Sequence, residues 1–296
     1  MTPKKRLNIL LADDSSQHAQ AALDLLGEIS LSPKSRVTVL RVFTPDQISG
    51  ISDFERLLGQ TKVRLLNKGI TTETNLVLGE PAAKIIEIAE TDSPDLIVLG
   101  AKGLRATLGI LLGGVAQQVV EYACCPVLIV RAPFRGLKRI LLVTDGSSNA
   151  QHAARYLAKF PLLEKADVHV MHVMPPERQP VMMTSFAGGW QTAYVEQVMV
   201  DEAAALLEKQ KQKGEALLKR TCDLLQRSGI ESTPVLSRGD AATEIIEYVK
   251  SNHIDLIVAG SRGLSQFKGW WMGSVSRKLI HYSNCSVLIV KAPRKE

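Results

Sequence analysis

The stretch Gly260-Ser-Arg-Gly263, followed after nine residues by Gly273-Ser274-Val275-Ser276, joins a strand-like run to a helix-like run. The preceding run, Leu256–Ala259, is apolar throughout. Glycines between a buried strand and the start of a helix allow backbone N–H groups to surround an anion, most often a phosphate. The stretch therefore predicts a phosphate-binding loop.

The same frame occurs near the middle of the chain, as Gly100-Ala-Lys-Gly103, nine residues and then Gly113-Gly114-Val115-Ala116. Opening segments match as well, because Ile9–Ser16 resembles Ile140–Ser147, which lies 131 positions later. Closing segments match at a spacing of 160 positions. Two copies of domain size indicate a tandem fusion rather than a solenoid.

We expect one domain over residues 1–134 and a second over 137–296. The second carries an insertion near 175–213, where the spacing between the copies grows from 131 to 160 positions. The insertion leads into a helix-like stretch from about Gln191 to Arg227, which Gly214 interrupts. A lid or partner-binding arm and a surface helix packed on the other domain are both open interpretations.

Composition is that of a globular protein, with 45% hydrophobic and 22% charged residues in a chain of 296. No apolar run approaches the ~18 residues that a membrane span needs, so no membrane contact is expected. The net charge of +6 is spread along helices, without the aromatic–basic interleaving of a nucleic-acid surface. Met1–Arg6 lacks a separate apolar segment, and the four cysteines lack metal or redox spacing. We therefore expect a reduced, cytoplasmic setting and no metal site.

Two pairs of reactive residue types have structural interpretations. Cys125 and Cys285 are equivalent in the two copies and stand at the start of a strand, where a small buried hydrophobe is expected. His169 and His172 are three apart on a predicted strand, so they point to opposite faces and cannot share a metal.

Each copy alternates strand-like and helix-like segments. In the first copy, strands are predicted near residues 7–13, 36–43, 72–78, 95–100 and 126–131, and helices near 16–28, 52–67, 81–90 and 114–123. The nearly continuous Val/Ile/Leu runs are typical of parallel strands covered on both faces. With right-handed crossovers they predict an α/β fold of two doubly wound, Rossmann-like sheets, each with strand order 3-2-1-4-5. In that order Asp14 meets Gly100 at the ligand crevice, and Asp145 meets Gly260.

The last strand of each copy is predicted to be an edge strand. Val127–Val130 and Val287–Val290 are apolar along their whole length, and an exposed apolar edge is a hazard unless another strand pairs with it. We expect the two edges to pair with each other around a pseudo-twofold axis; pairing with another subunit, as in a homodimer, is the alternative.

These features together resemble the universal stress protein (UspA) family, whose nucleotide-binding pattern is G-x2-G-x9-G-(S/T). Gly260, Gly263, Gly273 and Ser274 match it completely, and the resemblance covers essentially the whole chain. It implies a domain that binds ATP, AMP or ADP, with or without Mg²⁺, dimerises through its last strand and takes part in stress responses.

The resemblance also implies which residues of the second copy bind nucleotide. Asp145, beside Thr144, would bond the ribose hydroxyls, the Val173 backbone would recognise the adenine edge, and the first two glycines would let the phosphates approach. The helix start would hold the phosphates through main-chain N–H groups and two hydroxyls. The full set is Thr144, Asp145, Val173, Gly260, Arg262, Gly263, Gly273, Ser274, Val275 and Ser276. A tight turn without ligand, with Ser274 as a plain N-cap, is the alternative.

The first copy departs from the pattern. Gly114 and Ala116 replace Ser274 and Ser276, and Asp13 replaces Thr144, which adds a carboxylate near a polyanion site. A hydrogen bond to a charged group contributes about 1.5–3 kcal/mol, so we expect a weaker or empty site, although Mg²⁺ would turn Asp13 into a ligand. This second site comprises Asp13, Asp14, Val42, Gly100, Gly103, Gly113, Gly114 and Val115.

Three function classes follow. The first is a regulatory module whose occupancy by an adenine nucleotide alters the surface seen by a protein partner, which the sequence does not identify. A scaffold that works without nucleotide is the second. A slow ATP hydrolase is the third, although no catalytic residue stands out as a general base.

Overall fold

The computed structural model describes residues 6–103, 112–161, 166–176, 191–263 and 272–292, with the backbone alone over 191–203. The first half of the described chain contains β1 (Asn8–Ala12), α1 (Gln17–Glu28), β2 (Arg36–Phe43), a 3₁₀ helix (Pro45–Gly50), α2 (Ile51–Asn67), β3 (Thr71–Leu78), α3 (Pro81–Asp92), β4 (Leu96–Gly100), α4 (Gly114–Tyr122) and β5 (Val127–Val130). The second half contains β6 (Arg139–Val143), α5 (Ser148–Leu157), β7 (Asp167–Met174), α6 (Gln191–Gln226), β8 (Ser232–Arg238), α7 (Ala241–Ser251), β9 (Leu256–Gly260), α8 (Ser274–Tyr282) and β10 (Ser286–Val290).

These strands form one sheet in the order β3-β2-β1-β4-β5-β10-β9-β6-β7-β8. Within each half the order is 3-2-1-4-5 and the neighbours are parallel, as predicted for a doubly wound α/β fold. The halves join where β5 pairs antiparallel with β10, with Leu128 opposite Leu288. The apolar edges predicted to need a partner therefore cover each other.

Both faces of the sheet are buried, which explains the continuous apolar strands. Ile9 and Leu11 of β1 pack on the face that α1 and α2 cover, whereas Leu10 packs on the face that α3 and α4 cover. This alternation continues past the strand end and sends Asp13 and Asp14 to opposite faces. Of the two, Asp14 takes the side on which the ligand crevice opens.

The loop after the first strand of each half is held by a serine cap. Ser16 accepts a hydrogen bond from the Ala19 amide at 3.1 Å, and Ser147 accepts one from the Ala150 amide at 3.2 Å. A cap of this kind satisfies an amide of the first helical turn that has no partner inside the helix. It fixes the loop next to Asp14 and Asp145.

The insertion lengthens one helix, since α6 spans 36 residues and its counterpart α2 spans 17. The predicted interruption at Gly214 was wrong, because α6 continues through it. A Cβ at Gly214 would lie 2.8 Å from Leu236 Cδ1 and 3.1 Å from His172 Cδ2, so glycine lets the helix pass close to the sheet. The part of the insertion at 177–190 lies outside the described residues. No described helix, α6 included, is long and apolar enough to cross a membrane.

Candidate functional site

Each half has a pocket beyond the C-terminal ends of its first and fourth strands. The C-terminal pocket, of about 180 Å³, brings together all ten residues predicted for the main site. The N-terminal pocket, of about 460 Å³, brings together all eight predicted for the second site. The topology therefore gathers residues that are up to 132 positions apart in the chain, such as Thr144 and Ser276.

The start of α8 forms one wall of the C-terminal pocket. Gly273 is the N-cap and makes no side-chain capping bond, and the first turn contains no acidic residue. The first amides of a helix have no intrahelical acceptor and carry its positive dipole end. Ser274 is exposed at this end, so amides and a hydroxyl are available to an anion. The start of α4 has the same arrangement around Gly113, without the hydroxyl.

Asp145 is oriented by the loop and by a glycine. Its Oδ1 accepts a hydrogen bond from the Ser147 amide at 2.9 Å. A Cβ at Gly263 would lie 2.6 Å from Asp145 Oδ2, and one at Gly103 would lie 2.6 Å from Asp14 Oδ2. The second glycine of the pattern therefore makes room for the carboxylate in both halves.

The first glycine of the pattern has a packing role. A Cβ at Gly260 would lie 2.7 Å from the Asn149 carbonyl carbon and 2.9 Å from the Ala150 nitrogen, both backbone atoms. In each half the fourth strand thus lies directly against the helix that follows the first strand. The third glycine of the pattern is different, since a Cβ at Gly273 would approach nothing closer than 3.4 Å, which is ordinary contact.

Two of the predicted hydroxyls are engaged inside the protein. Ser276 is 6% exposed and donates to the Gly260 carbonyl oxygen at 2.8 Å. Thr144 is 3% exposed, and its Oγ1 accepts from the Gly146 amide at 3.4 Å. We expected two hydroxyls at the helix start to bind the phosphates, but the Ser276 hydroxyl is bonded inside the protein, and Ser274 is the exposed serine of the two.

The carboxylate of Asp13 lies beneath the N-terminal pocket and is fully buried. Its Oδ1 accepts from the Ser15 amide at 2.7 Å, and its Oδ2 accepts from the Thr61 hydroxyl at 2.9 Å. Arg41 Nη2 lies 3.7 Å from Oδ1. The expected roles of this carboxylate, repelling a polyphosphate or ligating Mg²⁺, do not fit its position, because it is buried and its oxygens are engaged by Arg41, the Ser15 amide and the Thr61 hydroxyl.

Arg41 is a structural residue that sequence reasoning missed. It is 4% exposed, donates from Nε to the Asp13 carbonyl oxygen at 3.1 Å and bonds the Ser15 hydroxyl through Nη2. Its guanidinium also stacks 5.5 Å from the centre of the Phe54 ring. Ser15 has a positive φ of 61°, a conformation that this contact helps to hold. The only sequence signal was a charged residue inside an apolar strand.

His172 occupies the position of Arg41 in the second half. Its Nδ1 lies 2.9 Å from the Thr144 carbonyl oxygen. On the other face of β7, His169 Nδ1 lies 2.6 Å from the Tyr248 hydroxyl. The two histidines thus point to opposite faces, as predicted, and no cluster of three or more metal-ligating side chains occurs among the described residues.

The two equivalent cysteines are buried, as predicted. Cys125 and Cys285 are each 9% exposed, and burial raises the pKa of each thiol to about 12. A thiol with such a pKa is protonated at neutral pH and is a poor nucleophile.

The pockets differ in size and in polar groups. The N-terminal pocket has the 300–1,000 Å³ volume typical of small-molecule sites, and Thr44 and Gln47 line it, whereas the described residues that line the C-terminal pocket include no equivalent pair. Glu80 also lines this pocket and adds its carboxylate to those of the two loop aspartates. The larger volume therefore favours the N-terminal pocket as a small-molecule site. The exposed Ser274 and the smaller acidic charge favour the C-terminal pocket as a site for an anionic ligand.

Comparison with known proteins agrees with this duplicated architecture. The universal stress protein family model matches residues 5–131 and again 136–291. Universal stress protein YxiE of Bacillus subtilis is 33% identical over 156 residues, which are 52% of this chain and 98% of that protein. A universal stress protein of Thermus aquaticus is 37% identical over 133 residues, 42% of this chain and 97% of that protein.

A solved structure reproduces the fold over the full length. The crystal structure of a universal stress protein from Archaeoglobus fulgidus matches with a TM-score of 0.67 at 22% identity, covering 98% of each chain. Two family matches, one in each half, account for nearly the whole sequence. The chain belongs to the universal stress protein family, with two copies of the family domain in tandem.

Proposed function

We propose that this protein is a regulatory module in stress responses that binds an adenine nucleotide, ATP or its di- or monophosphate, mainly in the C-terminal half. The supporting observation is the start of α8, where uncapped amides and the Ser274 hydroxyl face the same pocket as Asp145. Amides and a hydroxyl suit phosphate, and a carboxylate suits ribose hydroxyls. Occupancy would then alter the surface that a protein partner contacts.

Adenine recognition is the further part of this proposal. Val173 lines the C-terminal pocket and Val42 lines the N-terminal one, each near the end of the second strand of its half. A strand end presents backbone N–H and C=O groups, which match the donor and acceptor edge of adenine. Arg262, which also lines the C-terminal pocket, contributes positive charge beside the expected position of the phosphates.

We further propose that the N-terminal site is the weaker one. The start of α4 lacks the hydroxyl that Ser274 supplies at the start of α8, and Asp14 and Glu80 place two carboxylates in its pocket. A larger cavity adds contact area but does not replace bonds to a charged phosphate. Unequal filling of the two halves at limiting ATP is therefore expected.

Replacing Ser274 by alanine is expected to reduce the amount of bound nucleotide. One hydrogen bond to a charged group contributes about 1.5–3 kcal/mol, which is about a 10-fold or greater loss of affinity. Mass spectrometry of nucleotide released from gently purified wild-type and Ser274→Ala protein measures this directly. Recovery of no nucleotide from wild-type protein would favour the nucleotide-independent scaffold.

The reciprocal substitution provides a matched control. Gly114 occupies the position of Ser274 in the first half, and a Cβ there would meet no atom within 4 Å. Gly114→Ser should therefore fold normally and strengthen nucleotide binding in the N-terminal half. If Ser274→Ala and Gly114→Ser both left binding unchanged, the hydroxyl would have no part in phosphate recognition.

A further inference from the structure

The helices whose starts line the two pockets, α4 and α8, are here named the cradle helices. At the C-terminal end of each cradle helix, carbonyl oxygens accept hydrogen bonds from a cationic side chain of the opposite half of the chain. Arg131, directly after β5, donates from Nη2 to the Ile280 carbonyl oxygen in the last turn of α8 at 2.6 Å. Lys291, directly after β10, donates from Nζ to the carbonyl oxygens of Glu121 at 3.0 Å and Ala123 at 2.5 Å, at the end of α4.

The antiparallel junction explains why this contact occurs twice. Continuing the register of Ile129 with Val287 sets Arg131 beside Cys285, just before β10, and Lys291 beside Cys125, just before β5. Each of these cysteines comes just after the end of a cradle helix. The Arg131 amide also donates to the Ser286 hydroxyl at 3.3 Å, which anchors this crossing. The arrangement is thus a direct consequence of joining the two sheets.

A cation is favourable at this place. The last carbonyl groups of a helix have no intrahelical donor, and they carry the negative end of the helix dipole. Arg131 is 7% exposed, so its guanidinium is fixed by packing. Because a nine-residue helix is only about 13 Å long, a shift of the C-terminal end of α8 also moves the amides at its start.

The cradle helices also contact each other directly. Arg277 of α8 lies with its Nη2 2.8 Å from Glu121 Oε1 of α4. The backbone amide of Arg277 donates to the carbonyl oxygen of Gly273, the N-cap of α8, at 3.0 Å. One residue therefore joins the phosphate-facing end of α8 to the far end of α4.

We propose that Arg131 and Lys291 are positioning residues that each hold the cradle helix of the opposite half, so that phosphate affinity in one pocket depends on the other half. The inference rests on the proposed function, because it assumes that the start of α8 binds phosphate. Coupling of this kind is reciprocal: if a ligand in one pocket changes the affinity of the other pocket for its ligand, the second ligand changes the affinity of the first pocket by the same factor.

Titration calorimetry with ATP and with adenosine tests the role of Arg131. In Arg131→Met, ATP affinity is expected to fall about fivefold or more, the lower end of typical coupling between sites, while adenosine affinity stays unchanged. Adenosine has no phosphate that could contact the start of α8. A change in the ATP-to-adenosine affinity ratio therefore measures a change in phosphate binding there. Arg131→Lys should keep the wild-type ratio, since Lys291 performs the equivalent role in the other half.

Arg139 offers a matched control. It donates from Nη1 to the carbonyl oxygen of Asn252, the C-cap of α7, at 3.2 Å, and so it caps a helix that is not a cradle helix. Arg139→Met should leave the ATP-to-adenosine ratio unchanged. If Arg131→Met does not yield folded protein, Glu121→Gln removes the ion pair to Arg277 and should lower the ratio by a smaller factor, about twofold.

The outcomes separate the inference from the function on which it rests. An unchanged ATP-to-adenosine ratio in Arg131→Met, whether both affinities fall equally or neither falls, overturns the positioning role alone. If Arg131→Met does not fold, an unchanged ratio in Glu121→Gln overturns it. Absence of ATP binding by wild-type protein overturns the proposed function, and the inference with it.

Discussion

Replacing Arg41 by methionine is expected to lower the free energy of unfolding by about 3–5 kcal/mol, the cost of removing one partner from a buried ion pair. The carboxylate of Asp13 is fully buried and would keep its bonds to Ser15 and Thr61 but lose its counter-charge. Methionine preserves much of the volume that packs on Phe54, so the loss reports on charge rather than on a cavity. Urea unfolding followed by circular dichroism measures it.

Two further variants give this prediction its control and its rescue. Arg36 lies on the same strand and pairs with Glu73 at 3.2 Å, but both side chains are about half exposed, so Arg36→Met should change stability by about 0.5 kcal/mol or less. The double variant Asp13→Thr with Arg41→His copies the Thr144–His172 arrangement of the second half and should recover much of the loss. An effect of Arg41→Met no larger than that of Arg36→Met would contradict the role assigned to Arg41.

Replacing Gly260 by alanine is expected to destabilise the protein by about 1–3 kcal/mol, as overpacking in a tight interior does. The upper part of that range is expected, because the new methyl group would meet backbone atoms of Asn149 and Ala150 at 2.7–2.9 Å. Backbone at the start of α5 cannot move aside without disturbing the Ser147 cap. Thermal unfolding of the variant measures the effect.

Gly273→Ala is the matched substitution in the same motif. Its backbone, at φ −72° and ψ 154°, suits any residue, and the nearest atom to a Cβ would be 3.4 Å away. We expect a loss of unfolding free energy of about 0.5–1 kcal/mol, the cost of alanine in place of glycine at an N-cap. Equal destabilisation by the two variants would show that the glycines share one role, against the distinct packing found for each.

Much of the fold followed from the sequence, and the physical reason is periodicity. Two-sided burial makes each central strand a continuous apolar run, and the spacing of the repeats places equivalent strands in both halves. The pairing of Val127–Val130 with Val287–Val290 followed from the hazard of an open apolar edge. The residues predicted for each site also lie in one pocket.

The roles of individual atoms did not follow in the same way. A pattern of glycines does not reveal whether space is needed for a ligand or for the protein, and Gly260 and Gly263 turn out to accommodate Asn149 and Asp145. The Ser276 hydroxyl bonds the Gly260 carbonyl oxygen, a contact between residues 16 apart that depends on the tertiary fold. Arg41 was overlooked because a charged residue in a strand is usually solvated, and only the packing of α2 shows its buried partners.

The most direct test of the account is the number of ATP molecules that bind tightly at limiting ligand, measured by native mass spectrometry. We predict one tight equivalent for wild-type protein and for Asp14→Ala, and none for Asp145→Ala, because the carboxylate of the C-terminal pocket is the one expected to hold the ribose. Two equivalents filled in parallel by the wild type, or tight binding lost in Asp14→Ala and kept in Asp145→Ala, would contradict the assignment of the main site to the C-terminal half.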